Sequence, residues 1–388
     1  MSSSVHVPHR LRLPTTQVGH PYDISPASNS DKTERAFDLA YSEYQSYVGS
    51  PALQSQILAE ALDDITFVDE VDQAARRIAD TALVTPLYEY EGFVVKDETV
   101  QPTKAYKIRG ATNFILKHHL RAKEAGVVTA SAGNHGQAVA LAAAKIGVEA
   151  IIVVPHGTPA IKRAGIVAYG GRVLVYGADY NEASKKAEEI NHRQQGLYVP
   201  AYNHRDIMAG QATLAREILA QVPNVLNVVV PTGGGGILAG IARYLAVEAP
   251  QVKVYGAGVA GGSALETAYT SGNRGWTKAN KFADGIAVAR LGDKTWTEIK
   301  RHAEGVLIVK EAELRATIGR LSFYDHTVEA AGAVGLAAAM TNRDRLAGLT
   351  VVVATGGNID PGVLAECRQR VGLSAQYQLT NRREFSTI

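Results

Sequence analysis

A run of four glycines has the clearest chemical meaning in the sequence. Gly233–Gly236 follow the apolar run Asn227–Pro231, which is typical of a strand, and precede a helix predicted over Leu238–Glu248. Because glycine has no Cβ, successive backbone N–H groups can turn inward around an anion. The helix N-terminus adds free donors and the positive end of the helix dipole. The turn therefore predicts a phosphate-binding loop, although it matches neither the Walker pattern nor the dinucleotide fingerprint.

Two further glycine turns also follow predicted strands. The first, 131–136 (Ser-Ala-Gly-Asn-His-Gly), offers backbone donors and the side chains of Ser131 and Asn134, which suit a carboxylate or a phenolic oxygen. Taken alone, it also fits a helix N-cap. The second, 355–358, reads Thr-Gly-Gly-Asn. Because the carboxyl ends of parallel strands meet at one edge of a sheet, these turns predict a single ligand crevice.

Two lysines, Lys104 and Lys107, precede a helix predicted over Lys107–Glu124. A surface lysine is usually a solvated charge. A lysine in a dry cleft can lose its proton and form a Schiff base with an aldehyde. The residues alone do not choose between these interpretations, or between the two lysines.

The elements that must position these groups alternate between strand and helix from about residue 66. This alternation indicates open parallel α/β sheets, and more than eight strands favour two domains with a cleft between them. The predicted division is an N-terminal arm of 1–50, a large domain of 51–125 and 204–375, a small domain of 126–203 and a tail of 376–388. Within the arm, Asp31–Tyr47 has mostly helical spacing; the arm either packs over the body or a neighbouring subunit, or is a partly ordered tail. The predicted strands are 92–96, 127–130, 150–154, 172–176, 197–200, 227–231, 253–257, 305–309 and 350–354.

The composition of the chain limits the classes of partner and the cellular compartment that we expect for it. Of 388 residues, 46% are hydrophobic and 20% charged, which suffices for a normal core. The formal net charge of +2 gives no argument for nucleic acid or a membrane as a partner. The single cysteine, Cys367, excludes an internal disulfide and fits a reducing compartment. With no apolar signal region or bilayer-length apolar run visible, we predict a soluble, cytoplasmic protein.

Taken in order, these motifs resemble those of the threonine dehydratase and serine racemase branch of the fold-type-II pyridoxal-phosphate enzymes. The resemblance runs from about Thr85 to Val371 and implies a tryptophan synthase β-like fold with the cofactor between two open parallel-sheet domains. Each motif is weak alone, whereas their order and spacing together are specific. The motifs are 107–111 (Lys-Ile-Arg-Gly-Ala), 131–136, 210–211 (Gly-Gln), 233–236, 284–288 (Asp-Gly-Ile-Ala-Val), 329–332 (Glu-Ala-Ala-Gly, where the family usually has Glu-Pro-Ala-Gly) and 355–358.

The resemblance implies pyridoxal 5'-phosphate as the cofactor. It places the Schiff base on Lys107 rather than Lys104, the cofactor phosphate on Gly233, Gly234, Gly235 and Gly236, the ring hydroxyl near Asn134 and the pyridine nitrogen against Thr355. A neutral hydroxyl cannot keep that nitrogen protonated as a carboxylate could, so the ring becomes a milder electron sink, which favours elimination over transamination.

The loop at 131–136 is implied to hold the substrate carboxylate, so we predict substrate contacts for Ser131, Ala132, Gly133 and His135, with His135 as a structural donor. Glu329 is also predicted near the substrate, where it either tunes the site or only caps a helix. Similar serine racemases carry a serine, the second acid/base, where this chain has Ala132, so racemisation ranks low. The family's cation-binding carboxylate is missing from 258–262, and we predict no metal.

The function predicted is β-elimination from a small β-hydroxy amino acid such as threonine, serine, hydroxyaspartate or phenylserine, giving a 2-oxo acid and ammonia. One alternative is a β-replacement synthase that adds a nucleophile after the same elimination step. A racemase and a catalytically silent binding protein are weaker alternatives. A homodimer or higher homo-oligomer is expected from the resemblance.

Overall fold

The computed structural model describes residues 51–372 of the chain. The predicted arm of 1–50, the helix predicted over Asp31–Tyr47 and the tail of 376–388 lie outside the described residues. Within the described part, the strands are β1 (Leu87–Tyr90), β2 (Phe93–Asp97), β3 (Val127–Ala130), β4 (Ala150–Val154), β5 (Arg172–Val175), β6 (Leu197–Tyr198), β7 (Asn227–Pro231), β8 (Lys253–Val259), β9 (Gly305–Val309) and β10 (Thr350–Ala354).

The helices alternate with these strands and cover both faces of the sheets. None of the helices in residues 51–372 combines the length and apolarity needed to cross a bilayer. The helices are α1 (Pro51–Ile78), α2 (Lys107–Lys117), α3 (His119–Ala125), α4 (Asn134–Lys145), α5 (Ala160–Ala168), α6 (Tyr180–Gln194), α7 (Arg205–Gln221), α8 (Gly236–Glu248), α9 (Ala264–Ser271), α10 (Asp293–His302), α11 (Glu311–Leu321), α12 (Ala330–Thr341) and α13 (Pro361–Val371).

Two sheets organise the chain. The larger has six strands in the order β1-β2-β10-β7-β8-β9, and the smaller has four in the order β5-β4-β3-β6. Every neighbouring pair is parallel except β1 and β2, in which Leu87 lies opposite Lys96. Strand β1 was not predicted from the sequence. The two residues of its turn, Glu91 and Gly92, have positive φ angles of 51° and 78°, as a tight hairpin turn requires.

The central strands are buried on both faces, as their continuous apolar runs predict. All five residues of β4, β7 and β10 are buried. Helices therefore pack on each side of both sheets. The assignment of residues to a small domain of 126–203 and a large domain around it stays a prediction.

One predicted helix differs from the sequence-based expectation. The helix predicted over Lys107–Glu124 is divided into α2 and α3, because His118 has a non-helical backbone (φ −107°, ψ 27°). Its imidazole Nε2 lies 2.8 Å from a carboxylate oxygen of Asp206. Helix α2 packs into the core of the smaller sheet, where Ile108 and Phe114 join Ile152 in one apolar cluster. The segment that begins at Lys107 is thus fixed to the layer that carries β3 and β4.

Candidate active site

A cavity of about 610 Å³ opens where the carboxyl ends of β3, β7 and β10 approach one another. This is the crevice that the three glycine turns predict. Every site residue proposed from the sequence lines it. They are Lys107, Ser131, Ala132, Gly133, Asn134, His135, Gly233, Gly234, Gly235, Gly236, Glu329 and Thr355.

Lys107 reaches the cavity from the first residue of α2. Its Nζ donates a hydrogen bond to the backbone oxygen of Ala201 at 2.8 Å, and within residues 51–372 no carboxylate lies at ion-pair distance from it. Burial lowers the pKa of Lys107 to about 8. A useful fraction of the amine is therefore neutral near neutral pH, which is the form that attacks an aldehyde. Lys104, in contrast, is exposed and does not line the cavity.

The four-glycine loop presents unused donors to the same cavity. In the described part of the chain, the backbone N–H groups of Gly233, Gly234 and Gly235 donate to no protein acceptor, although all three residues are buried. Buried amide donors are rarely left without a partner, so such a group implies a ligand or water. Only glycine fits this loop. A Cβ at Gly234 would lie 2.5 Å from the ring of Tyr202, and Gly235 has a φ of +97°.

Asn134 connects the two sheets across the cavity. Its Nδ2 donates to Oε1 of Glu329 at 2.6 Å, and its Oδ1 accepts from Nδ2 of Asn358 at 2.8 Å. The same Asn358 amide donates to the backbone oxygen of Thr103 at 2.9 Å. Asn134 begins α4 beside the smaller sheet, whereas Glu329 and Asn358 follow elements of the larger one. The side chain is therefore held in one orientation by partners from the opposite layer.

Glu329 holds the N-cap position of α12, but its side chain makes no capping hydrogen bond. Of the two roles that the sequence left open, capping is thus excluded. Burial, followed by the neighbouring carboxylate of Asp284, raises the pKa of Glu329 to about 7, against the Asn134 hydrogen bond and the charge of Lys162. Such a carboxyl exchanges protons near neutral pH, a property found often at functional sites.

An ion pair spans the cavity mouth. Lys162 Nζ on α5 lies 2.6 Å from Oδ2 of Asp284, which begins a short 3-10 turn packed near α12. Both side chains are partly exposed, so the pair contributes little to stability. Its position matters more, because it joins the small-sheet layer to the large-sheet layer beside Glu329.

His135 and Thr355 line the cavity from elements of different sheets. The Nε2 of His135 lies 3.1 Å from the backbone oxygen of Val199, and burial, then the charge of Lys107, lowers its pKa to about 3. This contact with the backbone is compatible with the structural role predicted for His135, which stays a prediction. Thr355 is buried, and its backbone oxygen accepts from the N–H of Tyr106 at 3.1 Å. The chain beside Lys107 is thereby tied to the end of β10.

The cavity also has walls that the sequence did not assign. Their residues come from segments far apart in the chain, and none carries a motif signal of its own. Asp284 also lines the cavity and differs from these residues, because it belongs to the motif at 284–288. The unassigned lining residues include Lys162, Tyr180, Asn181, Tyr202, Trp276 and Arg290.

The comparison with protein families agrees with this geometry. Residues 78–356 match the family described as "Pyridoxal-phosphate dependent enzyme". The chain belongs to this family. The predicted resemblance and the predicted cofactor are therefore confirmed.

Relatives of known name lie in the threonine dehydratase group. The chain is 36% identical over 281 residues to the biosynthetic L-threonine dehydratase IlvA of Haemophilus influenzae, covering 70% of this chain and 55% of that protein. It is 36% identical over 303 residues to the L-threonine ammonia-lyase of Geobacter sulfurreducens, covering 76% of this chain and 75% of that protein. The chain thus spans only about half the length of the H. influenzae relative.

Solved structures of this family share the fold. The processed form of threonine deaminase isoform 2 from Solanum lycopersicum aligns with a TM-score of 0.75 at 30% identity, over 80% of this chain and 94% of that chain. Maize serine racemase aligns with a TM-score of 0.73 at 28% identity, over 78% of this chain and 97% of that chain. The α/β fold of two sheets expected for the fold-type-II enzymes is confirmed.

The residues present fit pyridoxal phosphate. Three buried amide donors of the four-glycine loop suit its phosphate, and the uncompensated amine of Lys107 suits its aldehyde. Both groups line one cavity with the hydroxyl residue Thr355. The chain therefore supplies an anion site, an amine without an ion-pair partner and a neutral hydroxyl in one cavity.

Proposed function

We propose that this protein is a pyridoxal-phosphate-dependent lyase that removes water from a small β-hydroxy amino acid and releases a 2-oxo acid and ammonia. The observation that carries the proposal is the amine of Lys107, which lacks an ion-pair partner in the described residues and shares a cavity with the four-glycine loop. The named threonine dehydratase relatives support elimination as the reaction. We expect the substrate to be threonine, serine, hydroxyaspartate or phenylserine.

Bound pyridoxal phosphate withdraws electrons from the substrate's α-carbon and makes its hydrogen acidic. Lys107, as a neutral amine, removes that hydrogen as a proton. The proton taken from the α-carbon balances the hydroxide lost from the β-carbon, so the net loss is water. Hydrolysis of the carbon–nitrogen bond then gives the 2-oxo acid and ammonia.

The turn before α4 positions the substrate carboxylate. Gly133 and Asn134 stand at the N-terminus of that helix, where backbone donors and the helix dipole favour an anion. The adjacent Ser131 hydroxyl accepts from the N–H of Gly133 at 3.3 Å, which fixes the loop. Ala132 has no group that transfers a proton, so a proton removed on the side of Lys107 is not returned from the other side.

The test is an assay for 2-oxo acid and ammonia over these amino acids, with and without added thiols or amines. Lys107→Ala should lose both turnover and the visible absorbance of the cofactor, whereas the matched variant Lys104→Ala should retain both. A fully active Lys107→Ala protein contradicts the proposal. Products that incorporate the added thiol would instead identify a β-replacement synthase.

The two residues that favour elimination can be tested separately. Ala132→Ser should keep elimination and increase D-amino acid formation, which chiral chromatography of recovered substrate measures. Thr355→Asp should hold the pyridine nitrogen protonated and raise transamination relative to elimination. Substantial D-amino acid from the parent enzyme, or an unchanged product ratio in Thr355→Asp, would contradict these roles.

We further propose that the enzyme works in the cytoplasm as a homodimer or a higher homo-oligomer. The single cysteine supports a reducing compartment. Light scattering coupled to size-exclusion chromatography of the full chain tests the oligomeric state, and a mass corresponding to one chain contradicts that part of the proposal.

A further inference from the structure

A second group of polar side chains lies where α1, α8 and α10 meet. Asp64 belongs to α1, whereas Glu298 and His302 lie one helical turn apart on α10. One ligand atom from each of the three residues lies within 4.8 Å of the other two. Helical residues four apart face the same side, so the spacing of Glu298 and His302 points both side chains toward α1.

Two atoms of this group are buried without a partner. Among residues 51–372, neither Nε2 of His302 nor Oε2 of Glu298 has a hydrogen-bond partner. The side chain of His302 is only 9% exposed, and its Nε2 lies 3.4 Å from Glu298 Oε2 and 3.7 Å from the nearer Asp64 oxygen. The two atoms face each other as a long ion pair and make no hydrogen bond of good geometry. Because buried polar atoms without hydrogen bonds are costly, a ligand bound between them would satisfy both.

The separations match a metal's coordination shell. Nitrogen and oxygen ligands lie about 2.0–2.2 Å from zinc, and two ligands at a tetrahedral angle are then about 3.4 Å apart. The separation between Nε2 and the Glu298 oxygen has this value, and the separation to Asp64 is slightly larger. Three protein ligands would leave a fourth position for water.

Two arginine side chains contact the carboxylates of this group. Arg243 donates to Asp64 at 2.7 Å and to the other oxygen of Glu298 at 3.3 Å, and Arg301 lies 3.3 Å from Asp64. These contacts orient the carboxylates and do not use Glu298 Oε2, which lies 3.4 Å from His302 Nε2.

The charge count includes two more carboxylates, Glu60 beside Arg301 and Asp63 beside Arg243. With Asp64 and Glu298 they make four carboxylates against two guanidinium groups. The group therefore has an excess of two negative charges, which favours a divalent cation. Arg205 also contacts Asp63, but it pairs with Glu70 as well, so including both Arg205 and Glu70 leaves this excess unchanged.

We propose that Asp64, Glu298 and His302 form a binding site for a divalent cation of the zinc class. No metal was expected from the sequence, because the cation-binding carboxylate of similar enzymes is missing from 258–262. The group proposed here lies elsewhere, and its three residues form no local sequence motif. The site is separate from the cavity and does not depend on the proposed reaction.

Helix α10 gives the site a structural consequence. Near its start, Thr295 Oγ1 donates to the backbone oxygen of Gly234 at 2.7 Å, so the helix supports the four-glycine loop. Its last residue is His302, where a cation also interacts favourably with the negative end of the helix dipole. A bound ion would therefore fix α1 to the helix that holds the loop.

The experiment uses the full-length holoenzyme after treatment with a chelator. Isothermal titration with zinc chloride should show one site per chain, and zinc should raise the melting temperature. His302→Gln and Glu298→Gln should each weaken zinc binding at least tenfold, as expected on losing one of three ligands. His119→Gln, which removes an exposed histidine outside the group, should bind zinc like the parent.

Two readouts keep the test independent of how the variants fold. Cobalt(II) in the parent should give the visible spectrum of a tetrahedral site, and anomalous diffraction at the zinc edge should place the ion between Asp64, Glu298 and His302. Absence of a stoichiometric site in the parent overturns the proposal. So does an anomalous peak elsewhere, or equal zinc binding by His302→Gln and His119→Gln.

Discussion

Replacing Arg109 tests the argument that a buried charge network fixes the lysine helix. Arg109 is fully buried two residues after Lys107. Its guanidinium donates to Glu98 at 2.7 and 2.8 Å and to both oxygens of Glu217. Lys96, also fully buried, lies 2.6 Å from Glu217. Two cations thus balance two carboxylates between β2, α2 and α7.

The expected loss of folding stability follows from this balance of charges. Arg109→Met leaves two buried carboxylates with Lys96 alone, and breaking a buried pair in this way costs about 3–5 kcal/mol. Arg109→Lys keeps the charge, but an ammonium group cannot bond both carboxylates as the planar guanidinium does, so an intermediate loss is expected. Arg121→Met is the matched control, because Arg121 is exposed and makes one long contact to Gln195.

Urea unfolding of the holoenzymes, followed by circular dichroism, measures these free energies. Although burial raises the pKa of Glu217, Arg109 and Lys96 lower it more, and its net pKa lies below the usual value. The stability from this carboxylate is therefore present at neutral pH and lost as the pH falls below about 4.5. If Arg109→Met costs no more than Arg121→Met at neutral pH, the network does not fix the helix as argued.

Three further outcomes can be measured. A pKa of about 7 for Glu329 favours its protonated form in the folded state, so its contribution to folding stability is fully present below about pH 4.5 and is lost as the pH rises through 7. Glu329→Gln should therefore raise the free energy of unfolding by up to about 3 kcal/mol at pH 8 and by little at pH 4.5. Equal gains at the two pH values would contradict this. Lys162→Met should move that pH dependence upward, because the charge of Lys162 lowers the pKa of Glu329; an unchanged or downward midpoint in unfolding titrations would reject the assignment. Gly236→Ala should weaken cofactor binding at least tenfold in fluorescence titrations, since its Cβ would lie 3.0 Å from the backbone Cα of Tyr202, and parent-like affinity would show that the loop can shift.

Much of the scaffold could be predicted because its signals are local. The strand β4 is a short β-branched run, and the glycine loop after β7 shows its conformation in its composition. Helix α1 was missed although its buried residues Phe67, Val71, Ala74 and Ile78 recur at helical spacing. The antiparallel strand β1 was missed because Glu91-Gly92 is not a strong hairpin signal.

The cross-chain contacts could not be predicted in the same way. Asn134 was identified from its loop, yet its bond to Glu329 joins residues separated by 195 positions. The ion pair between Lys162 and Asp284 spans 122 positions, and neither side chain has a local pattern that names its partner. Such pairs depend on how the two sheets pack against each other, and the periodicity of apolar residues along the chain does not contain this information.

The strand order also constrains when the protein can fold during synthesis. Strand β2 lies beside β10, with Val94 opposite Val351, so the centre of the larger sheet requires the strand that is synthesised after all the others described. The smaller sheet uses only 127–198 and can form while the ribosome still synthesises the rest. Until β10 emerges, β2 exposes an unpaired apolar edge that is prone to aggregation. If the cofactor is held as proposed by Lys107, Gly233–Gly236 and Thr355, its complete binding site exists only after the last of these residues has been synthesised.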